Sequence, residues 1–371
     1  MSNVIVVSAV NIVDGGPFTI LRDCLDYIES SNIADNYECI ALVNNAKQLK
    51  YSKIRLIEFP KAKRHYINRI YYEYFYFKKL AKQYKPYLWL SLHDMTPYVT
   101  NVPRVVTYMH NASPFNHISI KDLRNYSITY ILFSLLYRWI YRINIHKNMY
   151  CVVQQQWLRD SFSRMFNINP AKIIVARPIL SGKSMMISHN EFINKDHYIF
   201  FFPSYPRPFK NFEVICEAAL ILEKRNIKNF TVKLTIDALD FKSKYSQHIY
   251  NKYKHIKSIE FVGILDKNDM YRTYESTDCL IFPSKLETWG LPISEFMDYN
   301  RPMILADLPY AHETAAGANF VSFFDPYSAA QLADRMVDVI NCNIGKFKIV
   351  PVMNLQKPKA DSWAELFSVI L

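Results

Sequence analysis

The chain alternates short runs of β-branched and aromatic apolar residues with stretches of helical periodicity, and it does so along nearly its whole length. In the first half the runs are Val4 to Val10, Glu38 to Val43, Ile54 to Phe59, Leu88 to Leu92, Arg104 to Tyr108 and Met149 to Val153. A second series comprises Tyr198 to Phe202, Thr231 to Ile236, Ile259 to Val262, Cys279 to Phe282, Met303 to Ala306 and Phe320 to Phe323. Near-continuous apolar strands separated by helices are the pattern of parallel sheets with crossover connections. Between the two series lies a polar stretch, Arg177 to Asp196, containing Pro178, Gly182 and several Ser and Asn residues, which suits an interdomain linker. The expected fold is therefore α/β, with two Rossmann-like parallel-sheet domains. We place the first domain at 1–180, the linker at 181–196, the second domain at 197–350 and a terminal segment at 351–371. A length of 371 residues suffices for two such cores.

Apolar residues make up 50% of the chain and charged residues 21%, which excludes disorder and a small disulfide scaffold. Lys and Arg number 45 against 33 Asp and Glu, a net charge of +12, and the whole excess lies in residues 1–180. A charge confined to one half implies that this half meets something anionic: a membrane surface, a phosphorylated acceptor or an RNA. Apolar stretches such as Tyr130 to Tyr137 fall short of the ~20 residues that span a bilayer, and the N-terminus lacks the pattern of a signal peptide, so a cytoplasmic chain is expected. The six cysteines form no CxxC pair and are expected to be reduced core thiols.

In doubly wound domains ligands bind beyond the carboxyl ends of the strands. After Cys279 to Phe282 comes Pro283-Ser284-Lys285-Leu286-Glu287-Thr288-Trp289-Gly290-Leu291-Pro292-Ile293-Ser294-Glu295. Gly290 permits a turn with close backbone approach, Pro292 suits a helix start, and the free N–H groups there favour an anion. Glu287 in the loop and Glu295 one turn into the helix can each accept two hydroxyl hydrogen bonds, as a sugar or ribose diol requires. After Tyr198 to Phe202 stands Pro203-Ser204-Tyr205-Pro206-Arg207-Pro208-Phe209-Lys210-Asn211, where a cation would stabilise phosphate charge. The chain has no Asp-x-Asp and no His/Asp/Glu cluster with metal-ligand spacing, so neither metal nor other cofactor is expected.

Two glutamates seven residues apart with Gly-Leu-Pro between them, after a strand ending Phe-Pro-Ser, resemble the EX7E motif of glycosyltransferase family 4, the group 1 glycosyltransferases. The resemblance extends over nearly the whole chain: Phe261-Val262-Gly263 with Leu265 to Tyr274 upstream, and Arg301-Pro302-Met303-Ile304 with Glu313 downstream. It implies the GT-B architecture, with the two domains facing a central cleft, and metal-independent sugar transfer from a nucleotide donor with retention. By resemblance, Glu287 contacts donor-sugar hydroxyls and Glu295 the ribose. Ser284, Thr288, Trp289, Gly290 and Leu291 supply contacts to sugar and pyrophosphate, and Lys210 binds phosphate. The family commonly carries an arginine where this chain has Tyr205, and Arg207 is the candidate replacement. In the first half, Gly15-Gly16 resembles the family's glycine-rich loop, and His110, in Thr107-Tyr108-Met109-His110-Asn111, its donor-sugar histidine. His93-Asp94 is an acceptor-side candidate. Gln154 to Gln156 and Arg177-Pro178 support the alignment, and Asp361 to Leu366 resembles the terminal helix that crosses back to the first domain. Glu287, His110 and Lys210 are the expected catalytic set.

Tyr66 to Leu80 presents Ile67, Ile70, Tyr71, Tyr74, Phe77 and Ala81 at helical spacing, a stripe expected to be buried, flanked by Lys61, Lys63, Arg64, Lys78, Lys79, Lys82 and Lys85. Tyr126 to Tyr150 is a second aromatic segment, with Arg138, Arg142 and Lys147. Aromatics with cations suit an anionic headgroup region as well as a packed, solvated surface. The reading is a hexosyltransferase that uses a GDP- or UDP-sugar and a lipid-linked or polysaccharide acceptor in O-antigen or capsule assembly. It is peripheral on the inner face of the cytoplasmic membrane, with no nucleic-acid partner. Rival readings are an inactive nucleotide-sugar-binding partner and an RNA-binding protein; the latter lacks a recognisable RNA module.

Overall fold

The computed structural model describes residues 3–115, 128–178, 195–237 and 243–371, and for 128–130, 132–135 and 344 the backbone alone. All but the last two residues of the expected linker 181–196 lie outside the described residues, as does the start of the segment Tyr126 to Tyr150. The described residues divide into two units, one of 3–115, 128–178 and 355–371, the other of 195–237 and 243–354. Residues 355–371 of the terminal segment therefore belong to the first unit.

The first unit holds strands β1 (Val4–Ala9), β2 (Glu38–Val43), β3 (Ile54–Glu58), β4 (Leu88–Ser91), β5 (Arg104–Tyr108), β6 (Tyr150–Val153), β7 (Ile173–Ala176) and the late β14 (Lys359–Ala360). Their spatial order is β14-β7-β6-β5-β4-β1-β2-β3, and every pairing is parallel. Its helices are α1 (Gly15–Ser30), α2 (Ile33–Asn36), α3 (Tyr66–Tyr71), a π-helical turn (Tyr72–Tyr76), α4 (Phe77–Tyr84), α5 (Ile128–Arg142) and α6 (Gln156–Phe166). The second unit holds β8 (Tyr198–Phe202), β9 (Phe230–Leu234), β10 (Ile259–Phe261), β11 (Cys279–Phe282), β12 (Met303–Ala306) and β13 (Val321–Phe324). These form a parallel sheet in the order β10-β9-β8-β11-β12-β13. It is accompanied by α7 (Phe212–Lys224), α8 (Lys244–Tyr253), α9 (Lys267–Ser276), α10 (Leu291–Met297), α11 (Pro309–Thr314) and α12 (Ala329–Ile340). The last helix, α13 (Trp363–Ile370), returns to the first unit, where Leu366, Phe367 and Ile370 enter the core with Leu21, Cys24, Leu25 and Ile28 of α1.

Two parallel-sheet α/β domains are thus the architecture. In each sheet the chain order reverses once, between β1 and β4 in the first and between β8 and β11 in the second. Loops diverge at such a reversal and leave a crevice beyond the strand ends. The loop after β8 carries Lys210, and the loop after β11 carries Glu287 to Gly290. The six cysteines are free thiols, and all but Cys342 are buried.

The expected stripe on Tyr66 to Leu80 is corrected by the structure. Ile67 is 77% exposed, Tyr71 54% and Phe75 67%, whereas Arg69 and Glu73 are buried above Phe77 and Leu80. The π-helical turn explains the change. Glu73, four residues before Phe77, shares its face, and the extra residue in that turn brings Arg69 to the position that Ile70, seven residues before Phe77, would hold in uninterrupted α-helix. The buried charges have partners: Glu73 Oε1 lies 3.0 Å from His93 Nδ1, and Arg69 donates to the His93 carbonyl oxygen.

Candidate active site

The loops after β8 and β11 are tied to each other by backbone and side chain. Lys285 N donates to Phe209 O at 2.7 Å, and Asn211 Nδ2 to Pro283 O at 3.2 Å and Pro326 O at 2.7 Å. Asn211 adopts φ +64°, and α7 begins directly after it. Across this seam Lys210 Nζ meets Glu287 Oε1 at 2.5 Å, with only 17% and 12% of the two side chains exposed. The pair holds a cation and a carboxylate together at the sheet's reversal point.

Gly290 has φ +92°, a conformation that favours glycine, and a Cβ there would stand a tight 3.3 Å from Ile293 Cδ1. It opens α10, with Pro292 in the first turn. Neighbouring groups brace the loop: Tyr310 donates to Ser284 O at 2.7 Å, Thr314 to the Trp289 carbonyl, and Trp289 Nε1 to Ser294 Oγ at 2.8 Å. The Trp289 side chain is buried packing with its N–H committed, Thr288 is half-buried, and Ser284 is fully buried. Ser284 Oγ has no hydrogen-bond partner among the described residues.

Beside the seam opens a cavity of about 280 Å³ lined by Pro203, Ser204, Tyr205, Lys210, Thr235, Ile264, Leu265, Met270, Leu291, Pro292 and Glu295. Its lining combines the apolar side chains of Ile264, Leu265 and Met270 with the charged Lys210 and Glu295. Glu295 accepts from Tyr274 at 3.0 Å. Burial raises its carboxyl above the ordinary range, while Tyr274 and Lys267 pull it back. Arg207 is exposed and does not line the cavity; its guanidinium lies 5.2 Å from the centre of the Tyr205 ring. Thr235, Tyr274, Tyr310 and Thr314 escaped sequence reasoning, because each enters from another element and no local motif marks it.

In the first unit Gly15, at φ +70°, and Gly16 begin α1, and a Cβ on Gly16 would meet nothing within 4 Å. His110 stacks on Tyr108, with centroids 4.6 Å apart and rings inclined by 16°. Burial lowers its pKa against the opposing pulls of Asp94 and a hydrogen bond to the Leu92 backbone. Its Nε2 is buried without a partner among the described residues. With the other ring nitrogen bonded to a carbonyl, the neutral ring offers Nε2 as a bare acceptor.

Residues 186–349 match the family model of glycosyl transferases group 1. Over 261 residues the chain is 22% identical to the O-antigen chain mannosyltransferase RfbU of Salmonella typhimurium, covering 68% of this chain and 70% of that protein. Among solved structures it resembles the apo form of the lipopolysaccharide outer core galactosyltransferase WaaB, with TM-score 0.62, 12% identity and coverage of 92% and 91%. Anabaena HepE in complex with UDP-glucose gives TM-score 0.62 at 14% identity over 92% of this chain and 91% of that one. WaaG, a glycosyltransferase involved in lipopolysaccharide biosynthesis, gives 0.59 at 14% over 91% and 90%. At these identities the structural likeness is one of fold, the GT-B type. The loops after β8 and β11, with Lys210, Glu287 and Glu295, all lie inside the region that matches the family model.

Proposed function

We propose that the chain is a retaining, metal-independent hexosyltransferase of glycosyltransferase family 4, acting in O-antigen or capsule-type polysaccharide assembly. It moves a hexose from a GDP- or UDP-sugar to a lipid-linked saccharide at the cytoplasmic face of a membrane. The observation that carries this reading is the cavity beside the Lys210–Glu287 pair. Its apolar lining suits a nucleobase, Glu295 a ribose diol, and Lys210 the diphosphate, whose charge grows as the sugar leaves. Glu287, held by Lys210, is then available to the sugar hydroxyls, and His110 presents a neutral acceptor to another. Ser284 Oγ, buried and unpartnered, is a further donor for the phosphate region. Arg207, an exposed cation on the same loop as Lys210, is the candidate to join the phosphates. The match to RfbU, itself a mannosyltransferase of O-antigen chains, supports the pathway.

The first-unit surface suits the acceptor's setting. Ile67, Tyr71 and Phe75 project outward beside exposed Lys61, Lys63, Arg64 and Lys79. On α5, Trp139 is exposed between Arg138 and Arg142, whose guanidinium carbons lie 5.4 and 5.1 Å from its ring centre. Apolar and cationic groups side by side fit an anionic lipid surface. Among the described residues no helix is long and apolar enough to cross a membrane.

Thermal unfolding with UDP, GDP, UDP-glucose and GDP-mannose tests the donor reading. One nucleoside diphosphate and its sugar should raise the Tm, and Lys210→Ala should abolish most of the rise. Absence of any shift with all four ligands sinks the proposal.

A further inference from the structure

The turn bearing His110 is gripped by a single carboxylate. Asp94, after β4 and at φ +72°, accepts through Oδ1 from the backbone N–H of His110 at 2.5 Å and of Asn111 at 2.9 Å. The hydroxyl of Tyr141, a residue 1% exposed, lies 3.0 Å from the same Oδ1 and 3.0 Å from the Asn111 carbonyl oxygen, so its one proton is shared between turn and carboxylate. Asp94 N in turn donates to Tyr108 O at 3.1 Å, beneath the ring on which His110 stacks. Two successive amides on one charged acceptor fix both peptide planes, and with them the direction of the imidazole. The imidazole so directed keeps a buried Nε2 with no partner among the described residues, a costly arrangement unless a ligand supplies a donor.

We propose that Asp94, braced by Tyr141, is the positioning residue that aims His110 Nε2 at a hydroxyl of the donor sugar. The inference rests on the reading of His110 as a donor-sugar ligand. Asp94 itself touches no substrate. It acts by denying the 110–111 turn alternative conformations, so its loss should cost affinity for the sugar and not for the nucleotide.

The test is calorimetric titration with UDP and UDP-glucose, or with GDP and GDP-mannose if guanine is the base bound. The quantity read is the ratio of the two dissociation constants, which isolates the sugar's contribution. His110→Ala should shrink that ratio ~10-fold, the worth of one net hydrogen bond. Asp94→Ala should shrink it by a similar factor with the affinity for the bare nucleotide unchanged. Asp94→Asn, whose amide oxygen still accepts from both N–H groups, should recover part of the loss and covers the case in which Asp94→Ala folds poorly. The Asp94→Ala, His110→Ala double variant should be no worse than His110→Ala alone. If His110→Ala is costly but Asp94→Ala and Asp94→Asn keep the full ratio, the positioning role is overturned while His110 stands. It is equally overturned if the double variant loses both factors, or if Asp94→Ala weakens nucleotide and nucleotide-sugar alike. If His110→Ala leaves the ratio unchanged, the reading of His110 fails and this inference fails with it.

Discussion

In the cavity of the second unit Glu295 is caught between two demands. Burial raises its carboxyl above the ordinary range of ~4.3, with Tyr274 and Lys267 opposing. Between the ordinary and the raised value the folded protein binds more protons than the unfolded chain, so stability is lost as pH rises through that window. The ionised form, the one suited to a ribose diol, is thus the form the empty fold disfavours. Glu295→Gln should raise the Tm of the ligand-free protein at pH 7 and weaken nucleotide binding. Wild-type affinity should fall on acidification at a higher pH than an unperturbed glutamate would give, and the variant should show no such fall; titrations between pH 5 and 7.5 check both. The EX7E spacing of Glu287 and Glu295 was legible because it is local. The bracing contacts were not: Tyr310 and Thr314 reach the loop from α11, and Asn211 from the end of the loop after β8.

The helical segment from α3 through the π-helical turn to α4 shows one element serving two solvents. Inward it carries a charged array: Ser8 Oγ lies 3.0 Å from His93 Nε2, His93 Nδ1 3.0 Å from Glu73 Oε1, and Arg69 Nη1 3.4 Å from Tyr137 Oη. Burial works against the Arg69 charge, and Tyr137, Glu73 and Asp94 more than offset it. Ser8, His93 and Glu73 are 0%, 2% and 0% exposed, so this Ser-His-Glu array has no access to a substrate and is a core network, not a nucleophile. Glu73→Ala strips Arg69 of its compensating charge and should destabilise the first unit by about 3–5 kcal/mol in urea unfolding. Pairing it with Arg69→Met should recover part of that loss. Outward, Ile67→Glu with Phe75→Glu should abolish salt-sensitive sedimentation with anionic vesicles at unchanged Tm. Equal sedimentation of variant and wild type would remove these residues from the membrane reading. Periodicity located this helix and its buried Phe77 and Ala81 but misplaced Ile67, Ile70 and Tyr71, because a one-residue π insertion leaves no trace in composition.

At the scale of the whole molecule the last 17 residues belong to the unit that begins the chain. β14 pairs with β7 through Lys359↔Val175 and Ala360↔Ala176, Arg159 donates to Gln356 O and Lys357 O at 2.8 and 2.7 Å, and Phe367 stacks on Tyr27 with centroids 5.6 Å apart. Phe367→Ala should therefore cost the first unit about 3–5 kcal/mol and leave the second unit's unfolding unchanged, which calorimetry of the two transitions would resolve. The sequence by itself determined the fold class and located the loops that carry the candidate site. Strands such as Glu38–Val43, Tyr198–Phe202 and Cys279–Phe282 were readable because strands covered on both faces are unbroken apolar runs. The motif loops were readable because glycine, proline and the two glutamates stand within a few residues of each other. Tertiary structure alone decided strand order and the reversal points, the membership of β7 and β14, the buried face of α3, and the carboxylate that holds His110. Each depends on partners distant in sequence, and their hydrogen bonds and packing outweigh the weak local preference of short segments. The two residues of β14 form a strand only because β7 offers them an edge.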